Sequence, residues 1–297
     1  MKGVNLKTLC GLFGKTRHAW YDQNWRLQHE VFVREIVLQE VSAIRAELPG
    51  VGTRKLHSML EKPLASHQIS IGRDYLFDLL ASRGMLIKRR RRRIITTDSN
   101  HWMRKYDNLI GQVAINRPEQ VWVSDITYLR LNSSFVYLSL ITDAYSRQII
   151  GYQLQADLSA KGCIEALKMA IKQRRSRHLP LIHHSDRGSQ YCSKSYVELL
   201  QEGNIAISMT QNGDPYENAL AERVNGILKN EFNMAVNAGT IAQLNNKLAK
   251  IIRAYNGLRP HDSCNGLTPD QAHQQSGELT KKWKNYKRKK WDLKIEN

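Results

Sequence analysis

The chain has 297 residues, of which 41% are hydrophobic, and this excludes a disordered protein because it leaves enough apolar side chains for two or three folded domains. The formal net charge of +18 indicates a polyanionic partner, either nucleic acid or an anionic membrane surface. No apolar run reaches the roughly 18 residues of a membrane-spanning helix and the N-terminus lacks the pattern of a signal peptide, so we expect a cytoplasmic protein. The four cysteines form no CxxC pair, which indicates reduced packing residues: Cys10, Cys163, Cys192 and Cys264.

The positive charge is unevenly distributed. Residues 118–222 contain 10 Lys or Arg and 11 Asp or Glu, whereas the rest of the chain contains 35 and 16. We therefore predict a near-neutral folded domain, residues 118–275, between basic arms. A helical region, residues 1–87, and a basic linker, residues 88–117, precede that domain, and a basic aromatic tail, residues 276–297, follows it.

The first predicted elements are two short helices within residues 6–23. Gly14 breaks the helical pattern and Thr16 is placed to cap the second helix. Two helices joined by a tight turn are typical of a helix-turn-helix, and the basic context favours DNA binding over the alternative of a plain helical bundle. Lys15 and Arg17 are the predicted DNA contacts of this motif.

A second helix-turn-helix is predicted after the first. Helical periodicity runs through residues 25–48 and again through residues 52–61. Ser70 is placed to cap a further helix that stops at Gly84. The helical region as a whole is therefore predicted to bind DNA.

Two clusters of basic residues lie outside these helices. The first is a self-repelling run that predicts a solvated connecting arm, whose binding to DNA phosphates would weaken as salt increases. It consists of Lys88, Arg89, Arg90, Arg91, Arg92 and Arg93. The second is the tail, where Trp283, Tyr286 and Trp291 stand among eight basic residues between positions 281 and 294. These aromatic rings either stack on bases or belong to a merely solubilising tail.

The middle of the chain alternates strands and helices. Three β-rich runs, residues 121–131, 134–145 and 148–155, predict an antiparallel meander. A helix, a strand, a helix, a strand and a further helix are then predicted between residues 159 and 232. This order predicts an α/β domain with a mixed sheet and helices on its faces.

Acidic residues interrupt two of the predicted strands. Asp125 lies inside an otherwise apolar strand, and Asp186 ends another, before Gly and Ser residues that suit a turn. A buried carboxylate is costly unless a cation or hydrogen-bond donors meet it, and two Asp on neighbouring strands are suitable ligands for a divalent ion. Glu222 follows on a helix whose polar residues are predicted to lie opposite its apolar arc; Glu217, at the helix N-terminus, is a rival acid. The polar set is Asn218, Glu222, Asn225 and Lys229, and the apolar set is Leu220, Ala221, Val224, Ile227, Leu228 and Phe232.

Taken together, the acids form a recognisable set, with 35 residues between Asp186 and Glu222. Their order and spacing resemble the D,D-35-E core of retroviral integrases and insertion-sequence transposases, which implies a ribonuclease-H-like fold. The motifs W-x-x-D-I-T-Y, HSDRGSQY, YENALAERVNGILKNE and Y-N-x-x-R-P-H more closely resemble the second-frame product of insertion-sequence family three transposases. The departure of this chain from the family pattern at positions 217 and 223 leaves Glu222 in place, and no HHCC zinc module like that of retroviral integrases is present in the sequence.

The resemblance implies a DNA transposase in which Asp125, Asp186 and Glu222 bind two Mg²⁺ or Mn²⁺ ions. It implies cleavage at the ends of an insertion sequence and transfer of the freed 3′-OH into target DNA. Lys229 matches a family position that contacts the element end, and we add Asn225 and Arg187 as DNA contacts. Expected partners are the terminal inverted repeats, target DNA, further copies in a synaptic complex and an upstream-frame fusion, at the bacterial nucleoid.

Two other functions stay open from the sequence: a ribonuclease-H-type nuclease, and a helix-turn-helix regulator without catalysis. The nuclease needs a fourth carboxylate, for which Asp143 is the candidate, although we expect Asp143 to cap a turn with Ser146. His183 and His184 are predicted strand residues, because Mg²⁺ prefers oxygen ligands. The loop of residues 210–219 is predicted to form a lid over the site.

Overall fold

The structure is a computed structural model that describes residues 5–87, 102–111, 113–132, 134–211, 218–234 and 239–282. The chain divides into two units, Met1–Arg90 and Arg91–Asn297. Several predictions lie outside the described residues: those for the basic run of residues 88–93, for the loop of residues 212–217 including Glu217, and for the aromatic residues of the tail from Trp283 onward.

The first unit is helical. Its helices are α1 (Leu6–Leu12), α2 (Arg17–Glu47), α3 (Thr53–Ser66) and α4 (Arg73–Ser82). The break predicted at Gly14 is confirmed, because this residue has a φ of 63°, which glycine adopts without steric cost. The cap predicted at Thr16 is confirmed as well, since its Oγ1 accepts a hydrogen bond of 3.1 Å from Ala19 N.

Two details of the predicted helix-turn-helix pair are wrong. The second helix is not short, because α2 continues for 31 residues until Leu48, where the following proline disfavours the helical conformation. Ser70 is not a cap, because α4 begins only at Arg73 and its N-cap is Gly72. The core of this unit forms where the C-terminal half of α2 meets α3, which in turn packs on α4. The buried residues there include Val37, Val41, Leu56, Leu60, Leu64, Leu76 and Leu80.

The second unit contains a sheet of five strands. These are β1 (Val121–Leu131), β2 (Ser134–Asp143), β3 (Ile149–Gln155), β4 (Leu181–Ser185) and β5 (Ile205–Met209). Their order is β3-β2-β1-β4-β5; the first three pair antiparallel, β4 pairs parallel with β1, and β5 pairs parallel with β4. The predictions of an antiparallel meander and of a ribonuclease-H-like mixed sheet flanked by helices are confirmed.

Helices accompany the sheet. They are α5 (Ala160–Gln173), α6 (Ser189–Cys192), α7 (Lys194–Glu202), α8 (Ala219–Asn230), α9 (Ile241–Gly257) and α10 (Pro269–Ala272). Helix α5 packs on β2 and β3, and its backbone approaches Gly151 so closely that a Cβ there would collide with the carbonyl of Ala166. All four cysteines are free and buried, as predicted. Among the helices of the described residues, none combines the length and the apolar character that crossing a membrane requires.

One feature of the register shapes the site. Strand β4 is short and pairs with β1 only from Val121↔Ile182 to Val123↔His184. Strand β1 continues to Leu131 with β2 as its partner on the other side. Helix α8 packs against β1 and β2, so the C-terminal part of β1 lies beside a helix after its pairing with β4 ends.

Candidate active site

Asp125 and Asp186 lie at the same level of neighbouring strands, at the point where β4 ends. Asp125 comes two residues after the last β1–β4 pair, Val123↔His184, and Asp186 follows the final residue of β4. Because β1 and β4 are parallel, both carboxylates stand where β4 ends. The carboxyl ends of strands are the usual place for chemistry in open α/β sheets.

The electrostatics of Asp125 link all three predicted acids. Burial raises the pKa of Asp125 to about 7, and the negative charge of Asp186 is the next cause of that rise. Glu222 raises the pKa further, whereas a hydrogen bond from Asn225 opposes the increase. Asp125 therefore lies within the electrostatic range of both other acids, although the three come from the middle of β1, the end of β4 and helix α8.

Helix α8 is attached to β1 by two asparagine side chains. Asn225 donates a hydrogen bond of 2.6 Å from its Nδ2 to the Oδ2 of Asp125, and Asn218 donates one of 3.2 Å to the carbonyl of Ser124. Asn225 is only 5% exposed. Burial against a carboxylate does not support the DNA contact predicted for Asn225; its amide serves Asp125.

Most of the polar side chains predicted to lie opposite the apolar arc of α8 are covered by neighbouring parts of the chain. Asn218 and Asn225 are buried, Lys229 is half-buried, and only Glu222 of the predicted polar set is exposed. Helical periodicity distinguishes polar from apolar sides, but it does not show that β1 covers the polar side. Leu220, from the apolar set, is half-buried.

The Asp186 side chain also shapes its own loop. Its Oδ1 accepts a hydrogen bond of 3.0 Å from the backbone N–H of Gly188, two residues later. A Cβ at position 188 would stand 3.0 Å from the same oxygen, so glycine leaves room for the carboxylate. The turn-forming role of Asp186 and a role in catalysis are therefore compatible.

The chemistry of this acidic set fits a divalent cation. Among the residues that the structure describes, no three His, Cys, Asp or Glu side chains are grouped so that they could hold one metal ion as placed. Three carboxylates within electrostatic range are nevertheless the oxygen ligands that Mg²⁺ and Mn²⁺ prefer. A cation beside Asp125 would also favour the ionised form that burial and Asp186 disfavour.

The predicted basic contacts occupy different surroundings. Lys229 places its Nζ 4.7 Å from the centre of the Tyr128 ring, and burial lowers its pKa while the charge of Asp125 acts in the opposite direction. Arg187, directly after Asp186, is half-buried. In the first unit, Lys15 and Arg17 are exposed at the start of α2, and the Lys15 ammonium donates a hydrogen bond of 3.0 Å to Gln23.

The two histidines are internal strand residues, as predicted. His183 Nε2 lies 2.7 Å from Ser124 Oγ and 2.9 Å from the hydroxyl of Tyr196. Burial, followed by neighbouring His184, lowers the pKa of His183 to about 3, so the ring is neutral at physiological pH. His184 Nδ1 lies 2.8 Å from Ser208 Oγ on β5.

Asp143 caps a turn, as predicted. Its Oδ1 accepts hydrogen bonds from Ser146 N at 2.8 Å and Ser146 Oγ at 2.9 Å, and its Oδ2 accepts one from Glu119 N at 2.7 Å. These bonds occupy the carboxylate that a ribonuclease-H-type nuclease would need as its fourth acid.

A buried polar cluster surrounds Asp143 and was not predicted from the sequence. Glu119 accepts hydrogen bonds from the backbone N–H groups of Arg175, at 2.8 Å, and Ser176, at 2.6 Å. His273 Nδ1 lies 2.9 Å from Ser146 Oγ, while its Nε2 lies 4.0 Å from Glu119. The cluster joins residues from distant parts of the sequence, and no local pattern signals it.

Family comparison identifies the same region. The Integrase core domain family matches residues 115–215, and a second family of that description matches residues 203–269. These matches include β1 to β5 and helix α8, and they contain all three acids.

Similar proteins are found among insertion elements. The chain is 35% identical to the uncharacterized 31 kDa protein of insertion element IS600 from Shigella sonnei, over 75% of this chain and 81% of that protein. It is 28% identical to the transposase InsF for insertion sequence IS3fB from Escherichia coli K12, over 92% of this chain and 95% of InsF. Among solved structures, the HTLV-2 integrase catalytic core domain in complex with magnesium is 24% identical over 53% of this chain and 97% of that one, with a TM-score of 0.43.

Proposed function

The chain belongs to the IS3 family of insertion-sequence transposases, which are DDE-type polynucleotidyl transferases with an integrase-like core, and we propose that Asp125, Asp186 and Glu222 form its catalytic centre. The observation that carries this proposal is the raised pKa of Asp125, to which both other acids contribute. A carboxylate whose pKa is raised by burial and by two neighbouring acids is a feature of catalytic sites.

The proposed site takes divalent cations, Mg²⁺ or Mn²⁺, with two ions per site as the finer hypothesis. When bound, they supply the charge that activates the attacking oxygen and stabilises the leaving one. Asp125 would hold them from β1, Asp186 from the end of β4 and Glu222 from α8. Asn225 keeps the carboxylate of Asp125 oriented through its 2.6 Å hydrogen bond.

The reaction has two steps at one site. Water first attacks the phosphorus at the end of the element, and the bond to the 3′ oxygen breaks, so that the oxygen leaves with a proton as a free 3′-OH. That hydroxyl then attacks a phosphorus of target DNA and displaces another 3′ oxygen, which again takes up a proton. Each step exchanges one P–O bond for another, so neither requires a covalent bond to the protein or an external energy source.

Basic residues outside the acidic set would hold the DNA. We propose Lys229 and Arg187 as phosphate contacts near the acids, and Lys15, Arg17 and the run of residues 88–93 as contacts of the basic arms. The terminal inverted repeats and target DNA are the proposed ligands, bound at the nucleoid by several copies in a synaptic complex. Fusion to an upstream-frame product is a further part of the proposal.

The test is metal-dependent strand joining by purified protein. We expect the Glu222→Gln variant to lose cleavage and joining while it still binds element-end DNA. Glu165→Gln, which changes an exposed acid of α5 paired with Lys168 at 2.9 Å, is the matched control and should keep full activity. Joining that persists in the Glu222→Gln variant would refute the assignment.

A second readout tests the metal site without turnover. We expect Mn²⁺ to raise the melting temperature of the wild type, and of the Glu165→Gln variant, more than that of the Asp186→Asn variant.

The two alternative functions fit the chain less well than transposition. A nuclease would hydrolyse RNA in hybrids without joining DNA, and a regulator would bind element ends without forming any product in Mg²⁺.

A further inference from the structure

Helix α8 and the C-terminal part of β1 lead away from the acids side by side. Asn225 bonds to Asp125, and one turn later Lys229 lies over Tyr128, so the helix and the strand run in the same direction. At about 3.4 Å per strand residue, Tyr128 is roughly 10 Å beyond Asp125. At about 1.5 Å per helical residue, Lys229 is a similar distance beyond Glu222.

An exposed aromatic ring lies further along the β1–β2 hairpin, on the face of the sheet that carries the side chain of Tyr128. Phe135 meets Tyr128 edge to face, with ring centroids 5.6 Å apart and planes at 88°. Phe135 is 51% exposed, although most other residues of β2 are buried. Arg130, the register partner of Phe135 on β1, is exposed as well. The solvent-exposed ring of Phe135 therefore lies near two cationic side chains, Lys229 and Arg130. Exposed aromatic rings and nearby cations are features of surfaces that bind a nucleic-acid strand.

The tip of the β1–β2 hairpin is attached to the chain that follows α8. Asn132 donates a hydrogen bond of 3.0 Å from its side-chain amide to the carbonyl of Gly239. Arg130 donates another of 3.3 Å to the carbonyl of Asn132. These bonds restrain the hairpin at the level of Phe135, so that the ring has a defined position relative to the acids.

We propose that Lys229, Tyr128 and Phe135 form a binding surface for the DNA strand that enters the active site, and that Phe135 stacks on an unpaired base of that strand. Lys229 binds a phosphate, and Tyr128 is a positioning residue that holds the Lys229 ammonium. The level of Phe135 is five register positions beyond Asp125. At about 3.4 Å per residue and per nucleotide, the stacked base lies roughly five nucleotides from the bond that is cut.

This inference rests on the proposed function, because it requires a DNA end at the acids. Nucleic acid suits the surface better than a protein partner does. The aromatic contact is a single ring, whereas a protein interface needs a broad apolar core. The two charged side chains beside the ring, Lys229 and Arg130, are both cations that phosphates would pair with.

The experiment uses the full chain and an element-end duplex with a frayed 3′ strand. This strand carries one fluorescent 2-aminopurine, which is placed at a different position in each duplex. Divalent cations are left out, so that the DNA is bound but not cut. We expect the wild type to quench the fluorescence most strongly about five nucleotides from the 3′ end. Phe135→Ala should lose this maximum and bind about tenfold more weakly, and Phe135→Trp should restore both. Leu258→Ala, which removes an equally exposed apolar side chain at the end of α9, should behave as the wild type.

The role of Tyr128 has its own readout. We expect Tyr128→Leu and Lys229→Met each to reduce the slope of log affinity against log salt by about one phosphate contact. Tyr128→Phe keeps the ring and should keep the wild-type slope. An unchanged slope in Tyr128→Leu would refute the positioning role.

The outcomes separate this inference from the proposed function. If the wild type joins strands in Mg²⁺ but Phe135→Ala quenches and binds as the wild type does, the inference is wrong and the proposed function stands. If the quenching maximum depends on Phe135 but no strand joining occurs in Mg²⁺, the surface binds DNA as inferred and the catalytic assignment fails.

Discussion

Asn225 and Asp125, 100 residues apart in the chain, share a hydrogen bond of 2.6 Å between a buried amide and a carboxylate. The bond opposes the effects of burial and of Asp186, which raise the pKa of Asp125 to about 7. It also attaches α8, the helix of Glu222, to the strand of Asp125. The position of one acid and the ionisation of another therefore depend on the same contact.

Removing this donor is expected to raise the pKa of Asp125 further. In metal-free protein, Asn225→Ala should increase that pKa by about one unit, because a hydrogen bond to a charged group contributes roughly 1.5–3 kcal/mol. Carboxyl NMR titration measures the shift directly. Asn246→Ala, on an exposed position of α9, is the control and should leave the titration unchanged. A lower pKa in Asn225→Ala would contradict the assigned role.

Asp125 also makes stability depend on pH. Its folded pKa of about 7 is above the ordinary value near 4 of the unfolded chain, so the folded state binds the extra proton between these values. In the absence of metal, stability should therefore fall as pH rises from about 4 to 7, by roughly 2 kcal/mol after allowance for partial exposure.

Urea unfolding of metal-free wild type and Asp125→Asn checks this prediction. The variant should lose the decrease between pH 4 and 7, and it should be the more stable protein at pH 8. Equal pH profiles for the two proteins would mean that Asp125 titrates normally. Addition of Mn²⁺ should stabilise the wild type above pH 7 and leave the variant less affected.

His183 should produce the opposite dependence. Its folded pKa of about 3 is below the ordinary value of 6.5, so the unfolded chain binds the extra proton and stability is lost as pH falls from about 6.5 towards 3. His183→Phe should flatten this acidic limb, because it removes the imidazole that takes up the proton on unfolding. The measurement is the free energy of unfolding at a series of pH values, with exposed His178→Phe as the control.

Gly151 tests the packing of α5 on the sheet. A Cβ at this position would overlap the carbonyl of Ala166, and backbone cannot move away as a flexible side chain can. Gly151→Ala should therefore destabilise the second unit by about 2 kcal/mol or more in denaturant unfolding. Gly111→Ala, where no atom lies within 4 Å of the added Cβ, should change stability by less than about 1 kcal/mol.

Much of the second unit could be predicted from local sequence patterns. The alternation of residues in β1 to β3, the short apolar run of β4 and the periodicity of α5, α7 and α8 all predict elements that the structure contains. The cap at Thr16, the break at Gly14 and the turn at Asp143 were equally accessible, because each depends on side-chain chemistry within a few residues. The length of α2 could not be predicted in this way. Helical periodicity indicates which residues are helical, but it is a weaker guide to the residue at which a helix ends.

The identity, order and spacing of the acids can be read along the chain, since the spacing between Asp186 and Glu222 is a property of the polypeptide. Their surroundings depend on tertiary packing. The three-residue overlap of β4 with β1, the burial of Asn225 against Asp125 and the contact of Lys229 with Tyr128 join residues that are far apart in the chain. Helical periodicity separates the two sides of α8, but only the folded sheet decides which polar side chains are buried, because burial depends on the neighbour that covers them.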